Sequence, residues 1–174
     1  RIGDRVTGII GVKSYERANK YENRDLELLD FISGQVAIAI SRKQAEEALA
    51  RETARLNSIF ESSSHLMWSV NKRLLLQSFN HDYAELLEQE LGIKPQLNFS
   101  SETMGFKMMA PEERKVMEER YKLAFRGNKQ HFELCIKKKD GTDRWLEIYL
   151  NPILTQDTIS EVSGIARDIT ELKK

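Results

Sequence analysis

The spacing of apolar residues changes character along the chain. Residues 6–15 (Val-Thr-Gly-Ile-Ile-Gly-Val-Lys-Ser-Tyr) are β-branched and broken by glycine, which predicts a strand, and polar residues 16–21 predict the loop after it. From Asn23, a residue able to cap a helix, the rhythm turns helical: Leu29, Ile32, Val36 and Ile40 recur at three- and four-residue steps, and no proline interrupts the chain as far as Ser62. This predicts one helix of about 38 residues, roughly 57 Å long at about 1.5 Å per residue. Between residues 42 and 55 its charges alternate in sign (Arg42, Lys43, Glu46, Glu47, Arg51, Glu52, Arg55) around a thin seam of Ala45, Leu49, Leu56 and Ile59, the arrangement of a coiled-coil linker. Heptads extended from Leu29, Ile32 and Val36 reach Lys43, Glu46 and Ala50 instead, so the buried face is expected to change near residues 40–45. A solvated single helix with Glu47-to-Arg51 support is the plainer alternative for the charged stretch.

Beyond Ser64 the pattern is that of a compact α+β domain. Leu66, Trp68 and Val70 alternate with polar residues, Asn71-Lys72 supplies a turn, and residues 74–79 return, which predicts a hairpin. Asn80 can cap a following helix lined by Tyr83, Leu87 and Leu91 and stopped by Gly92. Residues 93–109 read as a loop or broken helix rich in Phe99, Met104, Phe106, Met108 and Met109, apolar enough to be tucked against a core. Pro111, with Glu112 and Glu113 behind it, opens another helix whose inner face is Met117, Tyr121, Ala124 and Phe125, and Gly127-Asn128 ends it. Strands are predicted at 130–138, 144–154 and 159–169, with turns at Asp140-Gly141 and Gln156-Asp157-Thr158. Two strands, helices, then three strands describe a sheet covered on one side by short helices.

Composition narrows the function. The 174 residues are 40% hydrophobic and 31% charged, with Lys plus Arg at 27 and Asp plus Glu at 27, so the chain can bury a core and carries no field that attracts nucleic acid. A lone cysteine, Cys135, forms no internal disulfide and no zinc spacing accompanies it, which fits a reducing, cytoplasmic setting. No stretch approaches the roughly 20 apolar residues of a membrane span, and no signal peptide is expected. The chain opens at Arg1, directly into the predicted strand, so it is expected to be a piece of something longer.

Candidate chemistry is sparse. His131 and Cys135 lie four apart on a predicted strand, about 13 Å at roughly 3.3 Å per residue, too far for a nucleophile and its base. Alternation puts them with Glu133 and Lys137 on the face opposite Phe132, Leu134 and Ile136, so Cys135 reads as an ordinary thiol. Lys137-Lys138-Lys139 precedes the Asp140-Gly141 turn and reads as a solvated hairpin tip rather than a phosphate patch. His65 and His81, at a strand start and a helix start, have solvated or capping roles as the default. No phosphate-binding loop, HExxH or paired-carboxylate motif occurs, and no metal site is expected. An adaptable apolar pocket between sheet and helices has Trp68, Phe79, Tyr83, Met104, Met108, Tyr121 and Phe125 as candidate lining, and a filled core of the same residues is the favoured reading.

Residues from about Leu56 onward resemble a PAS domain. The segments that carry the resemblance are Trp68-Ser69-Val70 with Ser78-Phe79-Asn80, Lys139-Asp140-Gly141 leading to Arg144-Trp145-Leu146, Asn151-Pro152-Ile153, and above all Gly164-Ile165-Ala166-Arg167-Asp168-Ile169-Thr170-Glu171. The resemblance implies a five-stranded antiparallel sheet with flanking helices, and a signal-output junction at Asp168, Ile169 and Thr170, with Leu172-Lys173-Lys174 beginning an output helix. Residues 28–40 resemble the last helix of a GAF domain, which implies that residues 6–15 are that domain's last strand. The chain is therefore read as a GAF C-terminal fragment (1–42), a coiled-coil-like linker helix (43–60) and a PAS domain (61–174). Covalent flavin is disfavoured because no helical Asn-Cys-Arg motif occurs, and typical haem ligation because residues 111–126 hold no histidine; no cofactor is expected. The implied function is a non-catalytic sensory, relay and dimerisation segment of a cytoplasmic bacterial signalling protein, a sensor histidine kinase in a two-component system. Its expected partners are a second copy, through the linker helix and the PAS domain, and a downstream kinase or other effector domain, with no nucleic acid or membrane. A ligand-free dimerising spacer, and a diguanylate cyclase or transcription factor as effector, are the alternatives.

Overall fold

The structure, a computed structural model, describes residues 6, 8–16, 20–100 and 105–173. The chain divides into two compact units, Arg1–Asn57 and Ser58–Lys174.

Helix α1 (Asn23–Glu61) runs for 39 residues, as its proline-free periodic sequence predicts. The pairs Arg42–Glu46 (3.0 Å), Lys43–Glu47 (3.8 Å) and Glu52–Arg55 (3.9 Å) lie along its exposed surface, so Glu47 is held by Lys43 rather than by Arg51. Such exposed pairs contribute at most about 1 kcal/mol each. The strand expected at residues 6–15 does not form: Val6 and residues 8–15 carry no strand pairing. Strand backbone needs a neighbour for its N–H and C=O groups, and no described residue of the first unit supplies one.

The second unit holds one antiparallel sheet of β1 (Leu66–Asn71), β2 (Leu76–Phe79), β3 (Gln130–Lys137), β4 (Asp143–Thr155) and β5 (Thr158–Asp168) in the order β2-β1-β5-β4-β3. Helices α2 (His81–Leu91) and α3 (Pro111–Ala124), with a 3-10 turn at Gly105–Met108, complete the unit. Turn chemistry sets the register. Gln156 and Asp157 both adopt positive φ, 49° and 62°, which matches the twist of the β4–β5 hairpin. The side-chain oxygen of Asn71 accepts from the backbone of Arg73 (2.9 Å) and Leu75 (3.1 Å) while Leu74 takes φ 54°, so the hairpin turn is wider than Asn71-Lys72 and β2 begins at Leu76 rather than Leu74.

Asn80 caps α2 and Gly92 closes it at φ 67° in the left-handed region. Glu113 accepts from the Ala110 N–H at 2.7 Å, anchoring the start of α3 behind Pro111. Alternate residues Leu134, Ile136, Leu146, Ile148, Leu150 and Val162 are buried and join Met117, Tyr121 and Ala124 of α3 and Leu87 of α2 in one core. The apolar loop is tucked in at Phe106 and Met108, whereas Phe99 stays partly exposed.

Candidate functional site

Trp68 is held in the core from three sides. Strand β1 sends it to the helix side, where its indole N–H donates to the Tyr121 hydroxyl at 2.7 Å and its ring stacks on Tyr83, centroids 5.3 Å apart at 26°. The same ring lies over Gly164, its neighbour on β5: a Cβ added there would meet Trp68 Cε2 at 2.2 Å. Only glycine leaves room for the indole at that position. Burial pushes the Tyr83 and Tyr121 phenols far above their ordinary value; the nearby Tyr121 reinforces this at Tyr83, while the indole hydrogen bond works against it at Tyr121. Both remain neutral hydroxyls at physiological pH.

These rings border a cavity of about 50 Å³. Of the candidates read from the sequence, Trp68, Tyr83, Met108 and Tyr121 line it. Phe79 does not: it packs beside Tyr83, centroids 6.4 Å apart, because β2 is an edge strand and holds it at the margin of the core. Phe125 lies one residue past α3 and also packs at the margin, since the helix ends before bringing it round to the cavity. Met104 lies outside the described residues. The sequence reading missed Phe106, Ile136, Leu146, Ile148 and Ala166 as lining; alternation had set Ile136 on one face with Phe132 and Leu134, and register alone decides which strand residues face the gap. Ligand pockets generally span about 300–1,000 Å³, so a drug-sized molecule enters here only if Trp68, Tyr83 or Met108 moves.

Two polar joints tie this core to the chain on either side. Asn80, fully buried, accepts on its side-chain oxygen from the Met67 and Tyr83 N–H groups (3.0 and 3.1 Å) and donates from its amide to the carbonyls of His65 (2.8 Å) and Phe60 (3.3 Å). Glu61 accepts from the His81 N–H at 2.9 Å. The last turn of α1 is thus fastened to the first turn of α2, two residues from Tyr83.

At the other end, Asp168 accepts from the Thr170 hydroxyl (2.6 Å) and N–H (2.9 Å), and the same hydroxyl accepts from the Trp145 N–H at 3.0 Å. Ile169 is buried and donates from its backbone to Trp145 at 2.8 Å. Arg144 Nε approaches Asp168 Oδ2 at 3.2 Å, close enough for an ion pair but misaligned as a hydrogen bond, and a terminal nitrogen lies 3.5 Å from Glu90 of α2. The sequence-predicted junction residues therefore meet in one network that also reaches α2. Residues Thr170–Lys173 form a 3-10 turn, and Lys174 lies outside the described residues.

Burial raises the Asp168 carboxyl, but the Thr170 hydrogen bonds and Arg144 outweigh it and hold the group below its ordinary value. Because the folded value is depressed, the stabilisation is present above the unfolded value of about 4 and is lost as pH falls through the folded one. Asp168→Asn is expected to melt earlier than the parent at neutral pH, with the difference closing as pH falls below the unfolded value of about 4. Melting curves across that range check it; a constant gap would contradict the assignment.

The remaining candidates are occupied elsewhere. His131 stacks on Tyr149 (4.3 Å) and meets Glu147 at 2.9 Å, on the exposed face of the sheet. Burial raises the Cys135 thiol, with Asp143 and Glu113 adding to it, so it is not poised as a thiolate. Lys137 pairs with Asp143, and the Lys139 N–H donates to Glu90. Among the described residues no group of histidine, cysteine, aspartate and glutamate is placed to hold a metal ion, and no helix is long and apolar enough to cross a membrane.

No family model and no curated protein sequence matches the chain. Solved structures do. A PAS domain from Colwellia psychrerythraea is 17% identical over 71% of this chain and 98% of that one (TM-score 0.53). A domain described as that of a light and redox sensing histidine kinase from Haloarcula marismortui is 19% identical over 67% and 98% (TM-score 0.50). The N-terminal domain of a diguanylate cyclase with PAS/PAC sensor from Marinobacter aquaeolei is 17% identical over 64% and 100% (TM-score 0.52). With the strand order and helices described above, these likenesses give the second unit the fold of a PAS domain.

Proposed function

We propose that the Ser58–Lys174 unit is a sensory relay module of a cytoplasmic signal-transduction protein, with no reaction of its own. The packing state around the cavity is its input, and the Asp168–Ile169–Thr170 junction and the last turn of α1 are its outputs. The observation that carries this is the position of Trp68. One indole is hydrogen-bonded to α3 through Tyr121, lies on Gly164 of β5 and stacks on Tyr83, which follows the Asn80 joint to α1. Anything that displaces the ring acts on both joints at once.

The parent protein is read as a sensor histidine kinase in a two-component system, preceded by a GAF domain whose end is residues 28–40. The fold likeness to a domain of a histidine kinase supports this, and the likeness to a diguanylate cyclase domain supports that effector as the alternative. The cavity of about 50 Å³ favours a second reading, in which the core is filled and the unit is a ligand-free spacer.

Amide exchange separates the two readings. Tyr121→Phe removes the acceptor of the indole N–H while keeping the ring. In the relay, exchange is expected to quicken by about tenfold or more at Ile169, Leu172 and Ser62, as for a loss of roughly 1.4 kcal/mol of local protection. A response confined to Trp68 and the residues around Tyr121 would sink the relay and leave the spacer.

A further inference from the structure

The fold gives the basic run ahead of the Asp140-Gly141 turn neighbours that the sequence does not announce. Lys138 and Lys139 stand beside Lys107 of the 3-10 turn, around a cleft of about 290 Å³ whose apolar wall includes Leu91, Met108 and Met109. Lys137 borders the cleft too, but it is paired with Asp143. Among the described residues Lys107, Lys138 and Lys139 enter no ion pair. The acid in the wall, Glu90, is engaged already, by the Lys139 N–H at 2.8 Å and by Arg144 at 3.5 Å. Solvated lysines are ordinary at a hairpin tip. What sets these apart is that two separate segments bring them to one concave apolar surface, with Met108 buried beneath it.

We propose that this cleft is a binding site, separate from the core cavity, for a small organic anion that carries one carboxylate on a compact apolar body. The cleft falls just under the roughly 300–1,000 Å³ of drug-sized ligand sites, so its occupant is small. The apolar body lies on Leu91, Met108 and Met109, and the flexible methionines adapt to its shape. Charge complementarity places the carboxylate among the three lysines. A carboxylate fits better than a phosphate because the donors are ammonium groups. Among the described residues no arginine fork borders the cleft, and the Ala110 N–H at the start of α3 is taken by Glu113 at 2.7 Å. Glu90 in the wall disfavours a second negative charge.

Occupancy reaches the output junction through charge. Lys138 borders both this cleft and the surface that holds Asp168. Against burial, the Thr170 hydrogen bonds, Arg144 and then Lys138 hold the Asp168 carboxyl low. A bound carboxylate draws Lys138 away from Asp168 and repels Glu90, the other partner of Arg144. This link rests on the relay reading of the junction, whereas the site itself does not.

Amide NMR titration of the whole chain with cinnamate tests it, against cinnamyl alcohol, which keeps the apolar body and lacks the charge. Cinnamate is expected to bind with a Kd below about 1 mM, its shifts centred on Leu91, Lys107 and Lys139, and the alcohol at least about tenfold more weakly. Added salt is expected to narrow the gap. Lys107→Gln/Lys138→Gln/Lys139→Gln is expected to bring cinnamate down to the level of the alcohol, with the alcohol's affinity and the circular dichroism spectrum unchanged. Lys107→Gln alone, at an exposed side chain, is expected to weaken cinnamate by about threefold, which keeps the test open if the triple variant folds poorly. Bound cinnamate is expected to quicken amide exchange at Ile169 by about threefold or more. Binding without that change supports the site and removes its link to Asp168. Equal binding of the two compounds, no binding of either at about 5 mM, or binding of hexaglutamate in place of cinnamate overturns the proposal.

Discussion

Gly164→Ala is expected to cost the second unit about 3 kcal/mol or more, at the upper end of what overpacking a core does. The added methyl would lie 2.2–2.8 Å from three carbons of the Trp68 ring, far inside van der Waals contact. Neither side yields easily. Gly164 is paired with Trp68 on one flank and Leu150 on the other, so β5 cannot retreat without opening two ladders. The indole is held by the Tyr121 hydroxyl and the Tyr83 ring, and among the described residues the slack beside it is the cavity of about 50 Å³. Relief therefore means pushing the ring into that cavity and breaking its hydrogen bond. A fall in melting temperature of roughly 10 °C or more follows from such a loss in a unit of this size. Tryptophan emission should shift with it, read in a Trp145→Phe background so that Trp68 is the sole reporter. A variant melting within about 2 °C of the parent would contradict the close approach.

Asn80→Ala is expected to be comparably severe, about 3–5 kcal/mol, for a different reason. The side chain is fully buried, and its removal strands the Met67 and Tyr83 N–H groups and the Phe60 and His65 carbonyls. It also deletes the cap of α2, a loss of about 1 kcal/mol by itself. Asp in its place keeps the cap and the acceptor but offers nothing to the two carbonyls and buries a charge beside them, so it does not rescue. Chemical denaturation measures the loss, and amide exchange at Ser62 should show the last turn of α1 released before the sheet opens. A variant within about 1 kcal/mol of the parent would mean that water replaces the amide.

The strand alternation around Trp68 and the cap-and-stop pair Asn80 and Gly92 were legible because they are local: periodicity, capping and turn chemistry act over a few residues. What was not legible depends on register. The pairing of Trp68 with Gly164 spans most of the domain, and nothing near Gly164 announces that an aromatic ring will lie on it. Phe79 and Phe125 look like pocket residues by type, yet an edge strand and a helix end carry them to the margin. Asn80 was legible as a cap, whereas its two donated bonds required knowing where α1 stops. The strand expected at residues 6–15 failed because β-branched composition states a preference for extended backbone and cannot supply the neighbour that satisfies it.

The pairing of β1 with β5 has a geometric consequence. The two strands run antiparallel through the middle of the sheet, with Leu66, the first residue of β1, opposite Ala166, two residues before β5 ends. The two ends of the sheet core, at Leu66 and Ala166, therefore lie about one strand spacing apart, roughly 4.8 Å. A unit with adjoining ends can be spliced into another chain without spreading the flanking segments, or circularly permuted by joining those ends and reopening the chain at the Gln156-Asp157 hairpin. Closing that pair also brings together residues a hundred positions apart, 66 and 166, which places this fold among the slower folders for its size.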